Sequence, residues 1–369
     1  MKHKNNIYDI KELGFVPPKY GGVSVSIARL IEKLTGDGFV VGGFYSSENT
    51  NPNILGSPLF EQELNLSTKR LFSELPHCLK VLRPYKVLHS HYSLEHMVYL
   101  WCFLFLLQKK IVVTVHNSMV QRFYNDCDSL NRFFLKRVAH HPNVTWVAVS
   151  EQTKEEMLKL PVKFKQPIHV IPAYIPDVKE VNGSLPATFQ QYIVRHKKII
   201  VFYGHSFMLH EGNDVYGFKD ALDLYSKISN NDANSMVGFI LCISDDKDVE
   251  KIEKLHHEAM SLGVEDKIHW QIGPIENMKA LWEKTDVYIR PTCTDGDSVA
   301  VREALDMGVQ VVASNVCMRP NRTLVYEYGN MDDFINKVTT ALKSCHAESE
   351  PDFDNYNRLK SIYNDLLKK

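Results

Sequence analysis

The sequence has almost no excess charge of either sign: across 369 residues, 43 Lys and Arg stand against 44 Asp and Glu, a net charge of -1. That excludes the basic balance of a dedicated nucleic-acid binder. It also lacks a disulfide framework, because its seven cysteines (Cys78, Cys102, Cys127, Cys242, Cys293, Cys317 and Cys345) are scattered, odd in number and form no C-x-x-C pair. Such usage fits a reducing compartment and no zinc site. Long apolar runs are missing too. The longest, residues 98–107, is half of the roughly 20 residues a spanning helix needs, so any membrane contact must be peripheral. The opening MKHKNNIYDIKE is polar rather than a secretory leader, which makes the cytoplasm the expected location. Internal repeats and low-complexity tracts are absent as well.

What remains is the composition of an ordinary globular protein, 44% hydrophobic and 24% charged. At a rough 150 residues per domain, the length suggests two domains. The charge balance hides a split between them. Residues 1–180 carry 22 Lys and Arg against 16 Asp and Glu, while the remainder carries 21 against 28. A positive front half suits an anionic acceptor or the anionic face of a bilayer, or is ordinary variation between domains.

Short apolar runs alternate with helical periodicity along the chain, the signature of a doubly wound α/β protein. Strands are expected at 7–10, 40–45, 86–89, 111–116, 145–150 and 169–171, with a helix over 24–34 whose Ile27, Leu30, Ile31 and Leu34 share one face. A Pro-rich stretch, IPAYIPDVKEVNGSLP, interrupts the pattern at 171–186 as a linker would. The alternation then resumes with strands expected at 198–203, 237–243, 267–271, 286–289 and 309–313. The predicted organisation is an N-terminal Rossmann-like domain over 1–180, a second over 181–350, and a C-terminal helix over 351–369. That helix either caps the second domain or crosses back onto the first.

In open α/β sheets ligands bind beyond the carboxyl ends of strands. The most informative such segment follows the strand at 286–289 and reads RPTCTDGDSVAVREALDMG. Gly296 permits a tight turn, Asp297 or Ser298 can cap a helix, and Gly308 is placed to stop it. The helix start offers unpaired N–H groups and a positive dipole end, which suit a phosphate. Asp295 and Glu303 would lie about 12 Å apart if the intervening chain were helical. That exceeds the roughly 5–9.5 Å between the carboxyls of a glycoside hydrolase. Two acceptors gripping a long, hydroxyl-rich ligand with a phosphate between them describe a nucleotide sugar; a capped helix with two solvated acids is the plain alternative.

The segment has company. Gly21 and Gly22 before the first long helix, VVTVHNS at 112–118, VAVSEQTKEEM at 147–157, VIPAYIP at 170–176 and the RPT-TDGD-REAL block follow one another in an order that resembles the retaining GT-B glycosyltransferases of family 4. Their acid-x7-acid motif is matched by Asp295 and Glu303. The resemblance implies a GT-B fold, two Rossmann-like domains facing across a cleft, and transfer of a sugar from a nucleotide diphosphate sugar to a glycan acceptor without a metal or cofactor. It further implies that Asp295 holds donor-sugar hydroxyls, that Thr294, Gly296, Asp297, Ser298 and Val299 approach the sugar and diphosphate, and that Glu303 accepts from the ribose. Gly21 and Gly22 would lie near the phosphates and the acceptor, His116 beside the transferred sugar, and Gly273, Pro274, Ile275 and Glu276 near the base.

Each of these has an ordinary structural alternative, above all His116, which simply ends an apolar strand. His89 and His91 suggest a metal, but no acidic or Cys partner stands at the expected spacing, so structural roles are expected of them. The chain also departs from the family. The Arg usually found after the glycine of the first strand of the second domain is His205, following Gly204. The usual Lys-Gly is Tyr216-Gly217, with Lys219 nearby. Charge-assisted hydrogen bonds contribute about 1.5–3 kcal/mol each, so replacements are expected, and Arg290 and Arg319 are the best placed, with Arg302 third. The RPT-TDGD pattern with a later Arg-Pro, here Arg319-Pro320, resembles a polysaccharide-assembly branch. UDP is the favoured nucleotide, and a lipid-linked acceptor at the inner face of the cytoplasmic membrane is the expected partner. A non-catalytic scaffold subunit and a sugar-nucleotide epimerase are the alternatives.

Overall fold

The computed structural model describes residues 7–17, 22–64, 66–91, 94–116, 119–177, 184–230, 236–275, 277–346 and 351–368. The chain forms two compact units, one of Met1–Ile175 with Asp352–Lys369 and one of Pro176–Pro351. It passes from the first to the second within the Pro-rich stretch.

The first unit holds seven parallel strands: β1 (Tyr8–Val16), β2 (Val41–Tyr45), β3 (Phe60–Gln62), β4 (Tyr85–Ser90), β5 (Lys110–Val115), β6 (Val144–Ala148) and β7 (Ile168–Val170). They lie in the order β3-β2-β1-β4-β5-β6-β7. Successive side chains of a strand face opposite ways, and here both faces are buried, which is why the strands read as continuous apolar runs. Ile111 and Val113 enter one core with the helices Met97–Leu107 and Ser129–Ala139, whereas Val112 enters the other with the helix Gly22–Gly36. The helix Asp354–Lys368 completes this second core. Its Tyr356, Leu359 and Tyr363, spaced along one helical face, are buried there, and Lys360 pairs with Asp37 at 2.7 Å.

The second unit repeats the plan with β8 (Lys198–Gly204), β11 (Val237–Ile243), β12 (Ile268–Ile272), β13 (Val287–Arg290), β14 (Gln310–Ser314) and β15 (Leu324–Tyr326), in the order β12-β11-β8-β13-β14-β15. A small antiparallel hairpin, β9 (Leu209–His210) with β10 (Asn213–Asp214), follows β8. Ile200 and Phe202 face one core, Ile199 and Val201 the other. Burying each such side chain stabilises the fold by about 1.5–3 kcal/mol.

Sequence periodicity misses β3, β15 and the hairpin because segments this short complete no pattern. It also ends β1 too early. Lys11 and Glu12 interrupt the apolar run, yet both are fully buried, Lys11 bonding the carbonyl oxygen of Leu59 at 2.9 Å and pairing with Glu61. In each sheet one strand has crossovers leaving on both sides: β1 between β2 and β4, and β8 between β11 and β13. These switch points open the crevices in which α/β sheets bind ligands.

Candidate functional site

In the second unit, β13 delivers Arg290 to the carboxyl end of the sheet, beside β8. The turn after it brings Asp295 back onto the guanidinium: Arg290 Nε donates to Asp295 Oδ2 at 3.1 Å and Nη2 to Oδ1 at 3.2 Å. Arg319, arriving after β14, donates from Nη1 to the same Oδ2 at 2.8 Å. Its other donors are fixed by Ser314 O at 2.9 Å, Thr292 Oγ1 at 3.1 Å and Ser314 Oγ at 3.2 Å. Burial alone would raise the Asp295 pKa, but the two guanidiniums bring it down to about 2. The carboxylate is therefore ionised at all physiological pH values and has no proton to give.

The strand–turn–helix unit continues through Ser298, whose Oγ caps the helix Val299–Asp306 by accepting from Val301 N at 3.4 Å. Asp297, buried and raised in pKa by that burial, pairs with Arg302 at 2.7 Å. Arg302 is thereby committed to the turn. Glu303 lies further along the helix, where Trp282 Nε1 donates to it at 3.5 Å. Gly217, at φ +75°, passes so close to Pro291 that a Cβ would sit 2.2 Å from its carbonyl oxygen. Only glycine fits both that conformation and that approach. Of the other residues singled out in sequence, His205 meets Ser244 Oγ at 3.2 Å, and Gly273 turns at φ +94°. Lys219 does not join the Asp295 network: it pairs with Asp223 at 3.0 Å and Glu258 at 2.9 Å on the helical surface.

The first unit assembles a second polar cluster at its own switch point, where Glu12 of β1 lies in register with His89 of β4. Glu12 Oε2 is 2.9 Å from His89 Nδ1 and 2.7 Å from His91 Nε2, and His91 Nδ1 is 2.9 Å from His116 Nε2. Tyr363, from the C-terminal helix, reaches His89 Nδ1 at 2.6 Å and Glu12 Oε1 at 3.3 Å. His89 Nε2 meets Thr114 Oγ1 at 2.7 Å.

The charges follow from the geometry. Burial would raise the Glu12 pKa, but pairing with His89 and hydrogen bonds from both imidazoles bring it to about 2. Burial, then the His89 charge, lowers His91 to about 4 against the pull of Glu12. Burial, with smaller electrostatic contributions from the neighbouring imidazoles of His91 and His89, lowers His116 well below its ordinary value. A carboxylate only accepts, so His91 must donate from Nε2; being neutral, it accepts at Nδ1, and His116 must carry its proton on Nε2. His116 Nδ1 is then left as an acceptor. Together with Ser26, Thr114 and Tyr356, the ring lines a small pocket within this unit. Glu12, His89 and His91 are donors a metal could use, but their atoms stand at hydrogen-bond spacing, closer than the roughly 3.3 Å between ligands of a tetrahedral zinc ion.

Two family models match the chain. Residues 20–177 match Glycosyltransferase Family 4, and residues 198–344 match Glycosyl transferases group 1, which between them take in most of both units. The chain belongs to the family 4 type of glycosyltransferases. No curated protein matches it significantly. Solved structures do, at the level of the fold. A glycosyltransferase from Rickettsia africae is 15% identical with a TM-score of 0.71, covering 99% of this chain and 100% of its own. Sucrose-phosphate synthase from Thermosynechococcus elongatus is 16% identical with a TM-score of 0.69, covering 98% and 99%. Anabaena HepE, solved with UDP and glucose, is 13% identical with a TM-score of 0.67, covering 91% and 90%.

As a glycosyltransferase of GT-B fold, the protein carries its acid-x7-acid segment on the strand–turn–helix unit after β13. Gly22 begins the helix Gly22–Gly36, whereas Gly21 and Glu276 lie outside the described residues. Sequence reasoning does not single out Glu12 or Tyr363, and of His91 it expects only a structural role. An acid in the middle of a buried parallel strand was the available signal for Glu12. The acidic partner that local spacing does not offer His91 stands 79 positions away, at Glu12. Nothing local marks Tyr363.

Proposed function

We propose that this glycosyltransferase transfers a sugar with retention of configuration from a nucleotide diphosphate sugar, a UDP-sugar by preference, to a glycan acceptor in surface polysaccharide or glycoconjugate assembly. The observation that carries the proposal is the convergence of Arg290 and Arg319 on Asp295 at the β8/β13 switch point, beside the capped helix start at Ser298. HepE bound to UDP and glucose, and a trehalose-6-phosphate synthase bound to UDP-2-fluoroglucose, share the fold and support the nucleotide.

In this reading Asp295 is a fixed, ionised acceptor for donor-sugar hydroxyls, with Thr294, Gly296 and Val299 approaching the sugar and diphosphate. Its two guanidiniums and the helix N-terminus supply positive charge for the departing diphosphate, which needs no metal. Glu303 accepts from the ribose, and Gly273, Pro274 and Ile275 lie by the base. His116, holding its proton on Nε2, offers Nδ1 to a sugar hydroxyl. The leaving phosphate takes the acceptor proton. The acceptor is lipid-linked and is met at the inner face of the cytoplasmic membrane.

Incubating the protein with UDP- and GDP-sugars, with and without a lipid-linked acceptor, and following products by mass spectrometry tests this directly. UDP release that needs the acceptor, is insensitive to EDTA and falls at least a hundredfold in Asp295→Ala and Glu303→Ala is expected. Change of the donor without an acceptor would mark an epimerase. The engagement of Lys219 with surface acids favours one further alternative, a scaffold subunit, and calorimetry showing that neither UDP nor GDP binds would establish it.

A further inference from the structure

The first unit exposes apolar surface that its own fold does not use. Phe105 is 71% exposed, Leu106 51%, Phe133 51% and Leu130 42%, all on the helices Met97–Leu107 and Ser129–Ala139. These helices are locked together by Asn131, whose buried Oδ1 accepts from Val98 N at 3.1 Å. The two exposed rings, Phe105 and Phe133, are joined into one stripe by the half-buried Trp101 and Phe134. Phe105 stacks on Trp101 at 6.5 Å between centroids, Trp101 meets Phe134 at 6.1 Å, and Phe134 meets Phe133 edge-on at 5.2 Å. Isolated exposed apolar residues are normal, but a contiguous aromatic stripe rimmed by polar groups marks an interaction surface.

The rim decides the partner. From Glu95 to Glu151 the intervening chain carries six Lys and Arg but only two acids, Asp126 and Asp128. Asp128 is spent as the N-cap of Ser129–Ala139, and Asp126 pairs with Arg122 at 3.7 Å. Lys136 and Arg137, in the last turn, share the outer face with Leu130 and Phe133, and neither has an ion-pair partner among the described residues. The Arg137 guanidinium lies 5.2 Å over the Phe133 ring, which leaves its charge at the edge of the apolar stripe.

We infer that this face docks onto an anionic lipid bilayer, with Phe105, Leu106, Leu130 and Phe133 entering the headgroup boundary while Lys136 and Arg137 meet acidic headgroups. Aromatic rings belong at such boundaries, and long basic side chains bury their stems while keeping their charge in the headgroup layer. Among the described residues no helix is long and apolar enough to span, so the contact is made by one face of folded helices. The inference extends the proposed lipid-linked acceptor by naming the surface that meets its membrane.

Vesicle co-sedimentation without any sugar donor tests it, so that failure here and failure of the proposed transfer remain distinguishable. Binding to vesicles of phosphatidylcholine with phosphatidylglycerol, reversed by salt and absent with phosphatidylcholine alone, is expected. The double variant Phe105→Ser/Phe133→Ser and the double variant Lys136→Glu/Arg137→Glu should each weaken binding by about tenfold or more. Val194→Ser, which removes an 80% exposed apolar side chain from the second unit, should leave it unchanged. No affinity for the anionic vesicles, or affinity of both double variants equal to that of the parent protein, would overturn the inference. So would a concentration-dependent dimer abolished by the Phe variants, because a second copy would then cover the stripe. If the Phe variant fails to fold, the charge variant, which alters only exposed side chains, still decides.

Discussion

Each unit buries a polar knot at the switch point of its sheet, and the two knots use opposite chemistry. In the second unit one carboxylate holds two guanidiniums, all permanently charged, so the knot keeps its electrostatics at any physiological pH. In the first, one carboxylate anchors a chain of imidazoles, two of which burial keeps neutral, and a phenol. The contrast matches the tasks proposed for them. A diphosphate needs fixed positive charge, whereas a sugar hydroxyl needs a directed acceptor whose tautomer does not wander.

The contrast is most easily broken at Asp295. Asp295→Ala leaves two buried guanidiniums without their counter-charge and should cost about 3–5 kcal/mol, read as a lower denaturation midpoint, along with donor turnover. A smaller loss than that of Glu12→Gln would remove the distinction. Next comes pH. His91 titrates at about 4 when folded against 6.5 ordinarily, and His116 is shifted the same way, so the unfolded chain takes up protons that the folded one refuses. Stability is fully present above pH 6.5 and should fall as pH drops towards 4, by on the order of 3 kcal/mol for His91 alone. Asp295, depressed from 3.8 to about 2, retains its contribution until the pH falls below about 4. Urea titrations between pH 7 and 3 should therefore show the first unit weakening before the second.

Smaller changes sharpen the comparison. Glu12→Gln should cost about 2 kcal/mol, and, because an amide both donates and accepts, it should release the tautomer of His116. Nitrogen-15 spectra of the imidazoles would show mixed protonation where the parent protein shows Nε2–H. Tyr363→Phe removes one donor to this knot and should cost about 1 kcal/mol, measured by thermal unfolding. Lys219→Ala, on an exposed helix, should cost less than about 1 kcal/mol and leave nucleotide binding unchanged. A large loss of UDP affinity there would return Lys219 to the phosphates.

The longer strands of both sheets, unlike the short β3 and β15, are legible because residues buried on two faces leave unbroken apolar runs, as at Val237–Ile243. The turn and helix after β13 were legible because Gly296, Ser298 and Gly308 are local signals. The partners of Asp295 were only half legible. Arg290 and Arg319 were picked out as anion ligands, but that both close on the carboxylate depends on Arg319 returning 24 positions later beside β14. Lys219 drew attention by its place in a motif, and the acids that engage it, Asp223 and Glu258, were invisible to that reasoning.

By itself the sequence determined the α/β class, the placing of the acid-x7-acid segment after a strand, and the near-zero charge that resolves into a basic and an acidic half. Those are properties of periodicity, turn chemistry and composition, each confined to a stretch of chain. Only the tertiary structure decided that Glu12, His89, His91, His116 and Tyr363 form one hydrogen-bonded chain, and that the first unit wears an aromatic stripe with a basic rim. Hydrogen bonds of fixed direction between residues as far apart as 351 positions, and exposure left over after two helices have packed, exist only once the sheet has set the register of its strands.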